Sequence, residues 1–307
     1  MAETEVGGGE TTAATPSAPE PAPPPAPAGP RRRWLAIGAI VVVLLLLIAY
    51  VVVGAAAASA SSGGADRALK TTISHQDTVD ATLSEDPFKG IDLSSANADV
   101  SAAKTALANF EPKFAQVKAL VKADRAALLQ ARPGLQGSAL TLPEQGILSG
   151  DQRRIDAALS ALQSADQVLV YNQQEIDFLH PFLDAYTSLQ ALAKKEQAVD
   201  LPGSLSELTT TEADLQKTIA FAKPPAIPSS LVTALNDLKT LLADIRSALE
   251  AAQAHNLPAF QKASAALDAD DKKLSSFDAT ATENAIKALF KPLSDRYVSQ
   301  LKIAAGQ

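Results

Sequence analysis

Apolar residues recur along most of this chain in steps of three and four, and the longest such runs set its architecture. Val100, Ala103, Leu107, Phe110, Phe114, Val117 and Val121 keep that spacing without a slip, which is the a/d seam of a coiled coil or long bundle helix. The next seam position is Asp124, with Leu128 resuming the pattern. A charge at that point predicts that the buried face rotates onto Ala123 and Ala127, on the side Leu120 already widens. The alternative is that the helix end emerges into solvent. A second seam runs Leu162, Ala165, Leu169, Asn172, Ile176, Leu179, Leu183 and Tyr186, and a third runs Leu231, Leu235, Leu238, Leu242, Ile245, Leu249 and Ala252. Pro112 and Pro181 lie inside the first two without disturbing the phase, so each predicts a kink at the loss of a backbone hydrogen bond, and not a break.

Breakers separate the seams: Asp86-Pro87 through Gly90, Arg132-Pro133-Gly134 through Gly150, Leu201-Pro202-Gly203, and Pro224-Pro225 through Pro228. Ser149-x-x-Gln152 and Ser204-x-x-Glu207 have the capping-box form and predict helix starts. Shorter helical patterns fill the remainder, with Leu69, Ile73, Val79 and Leu83 first, then Leu205 to Ala222, Phe260 to Phe277 and Ile286 to Ala304. No run alternates with period two and β-branched enrichment, so the expected class is all-α. Helices over 95–131 and 151–199 would be about 55 and about 70 Å long. Joined by short loops, they predict an elongated antiparallel bundle. No fixed-period repeat between the halves is evident, which argues against a solenoid. Seams that widen locally, at Leu241 beside Leu242 and Ala248 beside Leu249, predict the broad core of a monomer.

A different pattern occupies Leu35 to Val53, nineteen residues without a charge. A bilayer core of about 30 Å needs roughly 20 apolar residues in a helix, and no other stretch approaches this. Arg31, Arg32 and Arg33 precede it and Trp34 marks its boundary. Positive charge beside a span is retained in the cytoplasm, so these residues predict a cytoplasmic N-terminus and an extracytoplasmic remainder. The implied organisation is a Pro/Ala-rich disordered tail over 1–33, a transmembrane signal-anchor over 34–58, a flexible neck over 59–66 and a helical bundle over 67–305. Ala58-Ser59-Ala60 offers a signal-peptidase-like site, but the apolar core is longer than that of a cleaved signal. Arg31-Arg32-Arg33-Trp34-Leu35 loosely matches a twin-arginine pattern, for which topology is the simpler account.

The chain has no cysteine, which removes disulfides, thiolate nucleophiles, Cys-type zinc and acylated anchoring. Net charge is −7, and beyond residue 60 the balance of 24 basic and 30 acidic side chains leaves −6. That argues against nucleic acid, which needs a concentrated basic surface.

Candidate chemistry is sparse. His75, His180 and His255 are far apart, and Asp177-x-x-His180 lacks the second motif and further carboxylates of a di-iron bundle. Ser101-x-x-Lys104 lacks the companion elements of serine penicillin-binding enzymes. Asp268, Asp270 and Asp271 beside Lys272 and Lys273 read as a solvated face. Asn172 is the conspicuous residue: a buried amide must find partners, so it either sets register, as in coiled coils, or lines a polar pocket with Gln173 and Glu175. No catalytic residue, cofactor or metal is indicated. The expected function is a non-catalytic, single-pass envelope scaffold or protein-interaction module, with the bilayer and envelope proteins as partners. A solute-binding or sensory ectodomain with a pocket between helices is the alternative, and an extracytoplasmic enzyme the third reading.

Overall fold

The computed structural model describes residues 63–91, 98–135 and 145–307. Among the described residues there are seven α-helices and no strand: α1 (Gly63–Leu83), α2 (Val100–Ala131), α3 (Gln145–Gln197), α4 (Leu201–Phe221), α5 (Ser229–Gln253), α6 (Leu257–Ser275) and α7 (Ala279–Ala305). The all-α expectation holds. Within the described residues no helix is long and apolar enough to cross a membrane, and the 35–53 stretch, with Arg31 to Trp34, lies outside them. α1 begins at Gly63, so the last residues of the expected neck are helical.

Cross-helix pairs give the directions. His75 on α1 and Glu85 just beyond its end meet Asp124 and Lys113 on α2. Lys104 and Arg132 at the two ends of α2 meet Asp184 and Asp156 on α3. In each case one number rises as the other falls, so neighbours are antiparallel. α4 returns along the C-terminal half of α3 through Ser188–Asp214. α5 returns along α4 through a two-pronged Arg246–Glu212 pair at 3.1 and 2.8 Å. α7 runs back along the N-terminal half of α3, where Arg154 Nε donates to the Ala304 carbonyl at 2.9 Å. The 53-residue α3, about 80 Å long, is therefore a shared spine. Its N-terminal half packs with α1 and α7, and α2 runs along it between Asp156 and Asp184. Its C-terminal half packs with α4, which carries α5 and then α6.

Helix starts come from Asx residues. Asp99, Asp200, Asn256 and Asp278 each accept from the backbone N–H three residues on, at 2.8 to 3.2 Å, filling one orphan donor of a first turn. The two expected Ser caps are displaced. Ser149 lies inside α3, and Ser204 is buried one turn into α4 because Asp200 and Pro202 already begin that helix. α2, α3 and α7 continue through Pro112, Pro181 and Pro292.

All seven leading residues of the first seam are buried. The expected rotation at Asp124 does not occur: Ala123 and Ala127 are exposed and Asp124 itself is buried. His75 is the reason. Its Nδ1 lies 3.0 Å from both carboxylate oxygens, so the charge stays in the seam with a partner instead of forcing it to turn. In the third seam Leu231, Leu235, Leu238 and Leu242 are buried, after which Ala248 and Ala251 take over from half-buried Ile245 and Leu249. A straight helix drifts in this way against a seven-residue repeat.

Candidate functional site

The polar residues of the second seam separate on folding. Gln173 turns to the surface, where its amide donates to Asp177 at 2.9 Å. Asn172 is half-buried with Oδ1 meeting no protein donor, and Gln174 Oε1 is in the same state. Glu175 is the extreme case, 1% exposed with both carboxylate oxygens unpartnered by protein groups. Burial alone drives its pKa well above the ordinary glutamate range, because a carboxylate loses its hydration there and gains nothing in return. No hydrogen bond joins Asn172, Gln173 and Glu175 to one another: Gln173 is held by Asp177, Asn172 is half-buried and Glu175 is buried.

A second polar group of residues lies between α1, α2 and α7. Beside the His75–Asp124 pair, Tyr297 of α7 hydrogen-bonds Asp80, and Gln76 Nε2 donates to Asp80 at 3.4 Å. Burial raises the Asp80 pKa more than these bonds lower it, with Asp77 adding repulsion. Burial also raises the Tyr297 hydroxyl, as do the neighbouring charges of Asp80 and Asp124. This network links α1 to α2 and α7 in one half of the bundle, while Asp80 Oδ1 meets no protein donor. It contains no nucleophile–base pair.

The far half contains an equivalence that the seam pattern conceals. Adding 56 to a position in the α3–α4 hairpin gives its counterpart in α5–α6: Val199-Asp200-Leu201-Pro202 matches His255-Asn256-Leu257-Pro258. The two turns are built alike. Val199 and His255 have φ of 57° and 53°, and the following N–H groups, of Asp200 and Asn256, reach back five residues to Lys195 and Ala251 at 3.1 and 2.9 Å. This is the Schellman closure, followed at once by an Asx cap. Further along, Ser188, Asp214 and Lys217 match Asp244, Asp270 and Lys273. Ser188 Oγ donates to Asp214 at 2.7 Å and Lys217 Nζ to Asp214 at 2.9 Å. Burial opposes the Asp214 charge, but Lys217 and Ser188 hold its pKa below the usual value. In the second hairpin Lys273 Nζ donates to Asp270 at 2.6 Å. Asp270 and Asp271 are buried, which corrects their expected place on a solvated face; only Asp268 of the three is exposed.

Because α4 and α6 are antiparallel to α3 and α5, both turns lie at the end remote from the start of α1. That end exposes large apolar side chains, Val199 at 79%, Leu257 at 63% and Phe260 at 40%. At the other end, where Arg154 Nη1 stands 3.6 Å from Asp66 near the start of α1, an open cleft of about 410 Å³ is lined by Arg153, Gln152, Gln300 and Ile303 among others. Among the described residues no group of His, Asp or Glu is placed to hold a metal ion.

Comparison with protein-family models, curated proteins and solved structures returns no match for this chain.

Proposed function

We propose that this protein is a single-pass, membrane-anchored scaffold of the cell envelope, with a cytoplasmic N-terminal tail and an extracytoplasmic helical bundle that engages another protein at its far end. The observation that supports this reading is the exposed apolar trio Val199, Leu257 and Phe260. It lies about 65 Å along α3 from the end where α1 begins, and α1 follows the apolar 35–53 stretch. Isolated exposed apolar residues need no explanation, but several at one tip mark an interaction surface. A bundle whose interior polar groups serve packing, and whose tip is apolar, suits presentation at a distance better than chemistry.

Two measurements test the proposal. Protease added to spheroplasts should remove the bundle and leave residues 1–33 protected; a protected bundle would reverse the topology. A photo-crosslinker at Leu257 should trap one discrete envelope protein, and Val199→Asp with Phe260→Asp should abolish that adduct. The solute-binding alternative has the 410 Å³ cleft in its favour. A thermal-shift response to a small molecule, lost on Arg153→Ala and unaccompanied by any protein adduct, would favour it over the scaffold.

A further inference from the structure

We propose that the end of the bundle nearest the apolar 35–53 stretch docks on anionic phospholipid headgroups, so that the bundle stands end-on at the membrane. This rests on the membrane-anchored reading and adds to it the chemistry of the surface beneath the bundle.

Four helices meet at this end, α1 and α3 beginning there and α2 and α7 finishing there. The contacts His75–Asp124, Asp66–Arg154, Arg132–Asp156 and Arg296–Ser160 bring 63–75, 124–135, 145–163 and 295–307 side by side, in a slab about 20 Å deep. Within it eight basic side chains face five acidic ones, whereas the other described residues carry sixteen basic and twenty-three acidic. A chain that is acidic as a whole is thus basic where it approaches its apolar stretch.

Pairing sharpens the difference. All five carboxylates of the slab have a basic partner. Asp66 and Asp151 stand 3.6 Å from Arg154, and Asp156 stands 2.9 Å from Arg132. Asp124 is 3.0 Å from His75 and Asp295 is 2.7 Å from Lys291. By contrast Lys70, Arg125, Arg153 and Lys302 are exposed and form no ion pair with a described residue. They come one each from α1, α2, α3 and α7. Uncompensated cations spread over four helices suit a charged plane better than a single small ion. Arg153 also lines the open cleft of about 410 Å³ with Gln152 and Gln300, whose amides can donate to phosphate oxygens as the guanidinium does. The carboxylate of that cleft, Asp156, is the one held by Arg132.

The tether delivers this end to the membrane. Nine residues separate Val53 from Gly63, at most about 36 Å of chain. A cation is drawn to anionic headgroups over roughly one Debye length, about 8–10 Å, and each one near such a surface adds about fivefold to binding. The same surface repels the acidic remainder. Attraction at one end and repulsion along the rest orient the bundle end-on, holding the tip with Val199 and Leu257 about 65 Å away.

The full chain in nanodiscs tests the docking, because a disc leaves both membrane faces open to reagents. The chain has no cysteine, so Gln300→Cys puts a single thiol at the cleft and Lys262→Cys a single exposed thiol on α6. An uncharged maleimide should modify the Gln300→Cys thiol about tenfold more slowly when a third of the phosphatidylcholine is replaced by phosphatidylglycerol, the change for a bundle docked about nine-tenths of the time. The Lys262→Cys thiol should react alike in both discs. Salt at about 0.5 M, or Arg153→Glu with Lys302→Glu, should restore the fast rate. Equal rates at Gln300→Cys in an incorporated chain overturn the docking and leave the anchor standing. Slowing that survives the charge reversals also overturns it. So does equal slowing by millimolar inorganic phosphate in neutral discs, which assigns the cleft to a soluble anion. A chain recovered outside the discs overturns the membrane reading, and the docking with it.

Discussion

Glu175 on α3 occupies the position that Leu231 fills on α5: the two are 56 residues apart, one turn-equivalent to the other, and both are buried. Around them the counterparts agree in kind, Leu179 with Leu235, Phe182 with Leu238 and Tyr186 with Leu242, all buried. An acid therefore sits where the same arrangement elsewhere takes a leucine. Since burial holds its pKa well above the ordinary value, Glu175 favours the folded state only when protonated, and stability falls as pH rises from the ordinary glutamate value toward the folded one. Glu175→Leu should raise stability at pH 7 by roughly 1–3 kcal/mol, the usual cost of an uncompensated buried polar group. The gain should shrink near pH 4, where the acid is neutral in both states. Urea unfolding at the two pH values checks this, and a loss of stability at pH 7 would show that the carboxyl has a partner.

The His75–Asp124 pair answers a different problem, a carboxylate in the middle of an apolar seam. Removing one partner leaves the other buried and unpaired, which costs about 1–3 kcal/mol. Removing both with apolar replacements need cost far less. His75→Leu should thus destabilise by that amount, and adding Asp124→Leu should recover at least half of it. Simple additivity of the two substitutions in denaturant melts would mean the pair does not support the seam.

Backbone strain at the far tip is equally measurable. Val199 is β-branched at φ 57°, a conformation that costs such a residue of the order of 1 kcal/mol or more and glycine nothing. Val199→Gly should raise the melting temperature, whereas Asp200→Ala should lower stability by about 1 kcal/mol through loss of the cap. Opposite signs at adjacent positions make the pair of variants a sharp check on the turn geometry.

How far the sequence could be read depended on the kind of signal. Long apolar seams survive any local accident, so α2, α3 and α5 were visible in outline, as were the breaks that separate them. Polar residues in those seams were not, because a sequence does not show what stands opposite. Asp124 looked like a reason for the stripe to turn until His75 arrived from a helix 49 positions earlier. Asp270 resembled a solvated charge because its burial between α5 and α6 is a tertiary event. The Ser204 capping box failed for a local reason: Asp200 lay four residues ahead of it and took the role first. The hairpin equivalence was hidden because seams tolerate exchange of Phe, Tyr, Ala and Leu. Only the Asx-Leu-Pro turn and the Asp-x-x-Lys spacing preserve it in letters.

The last prediction concerns what closes the core. Leu238 lies in the third seam, buried, with Leu241 and Leu242 beside it on the face that α4 and α6 cover. Leu249, about three turns along the same helix, is only half-buried, because the stripe has drifted to Ala248 and Ala251 by that point. An unpaired charge at the first position has no relief, so Leu238→Asp should destabilise by about 3–5 kcal/mol. At the second position the side chain can reach water, so Leu249→Asp should cost about half as much or less. If the bundle closes on itself, both losses should be independent of protein concentration, and residues 65–307 should scatter light as a monomer. A melting midpoint that rises with concentration, or equal penalties at the two sites, would instead place Leu249 in a contact between chains.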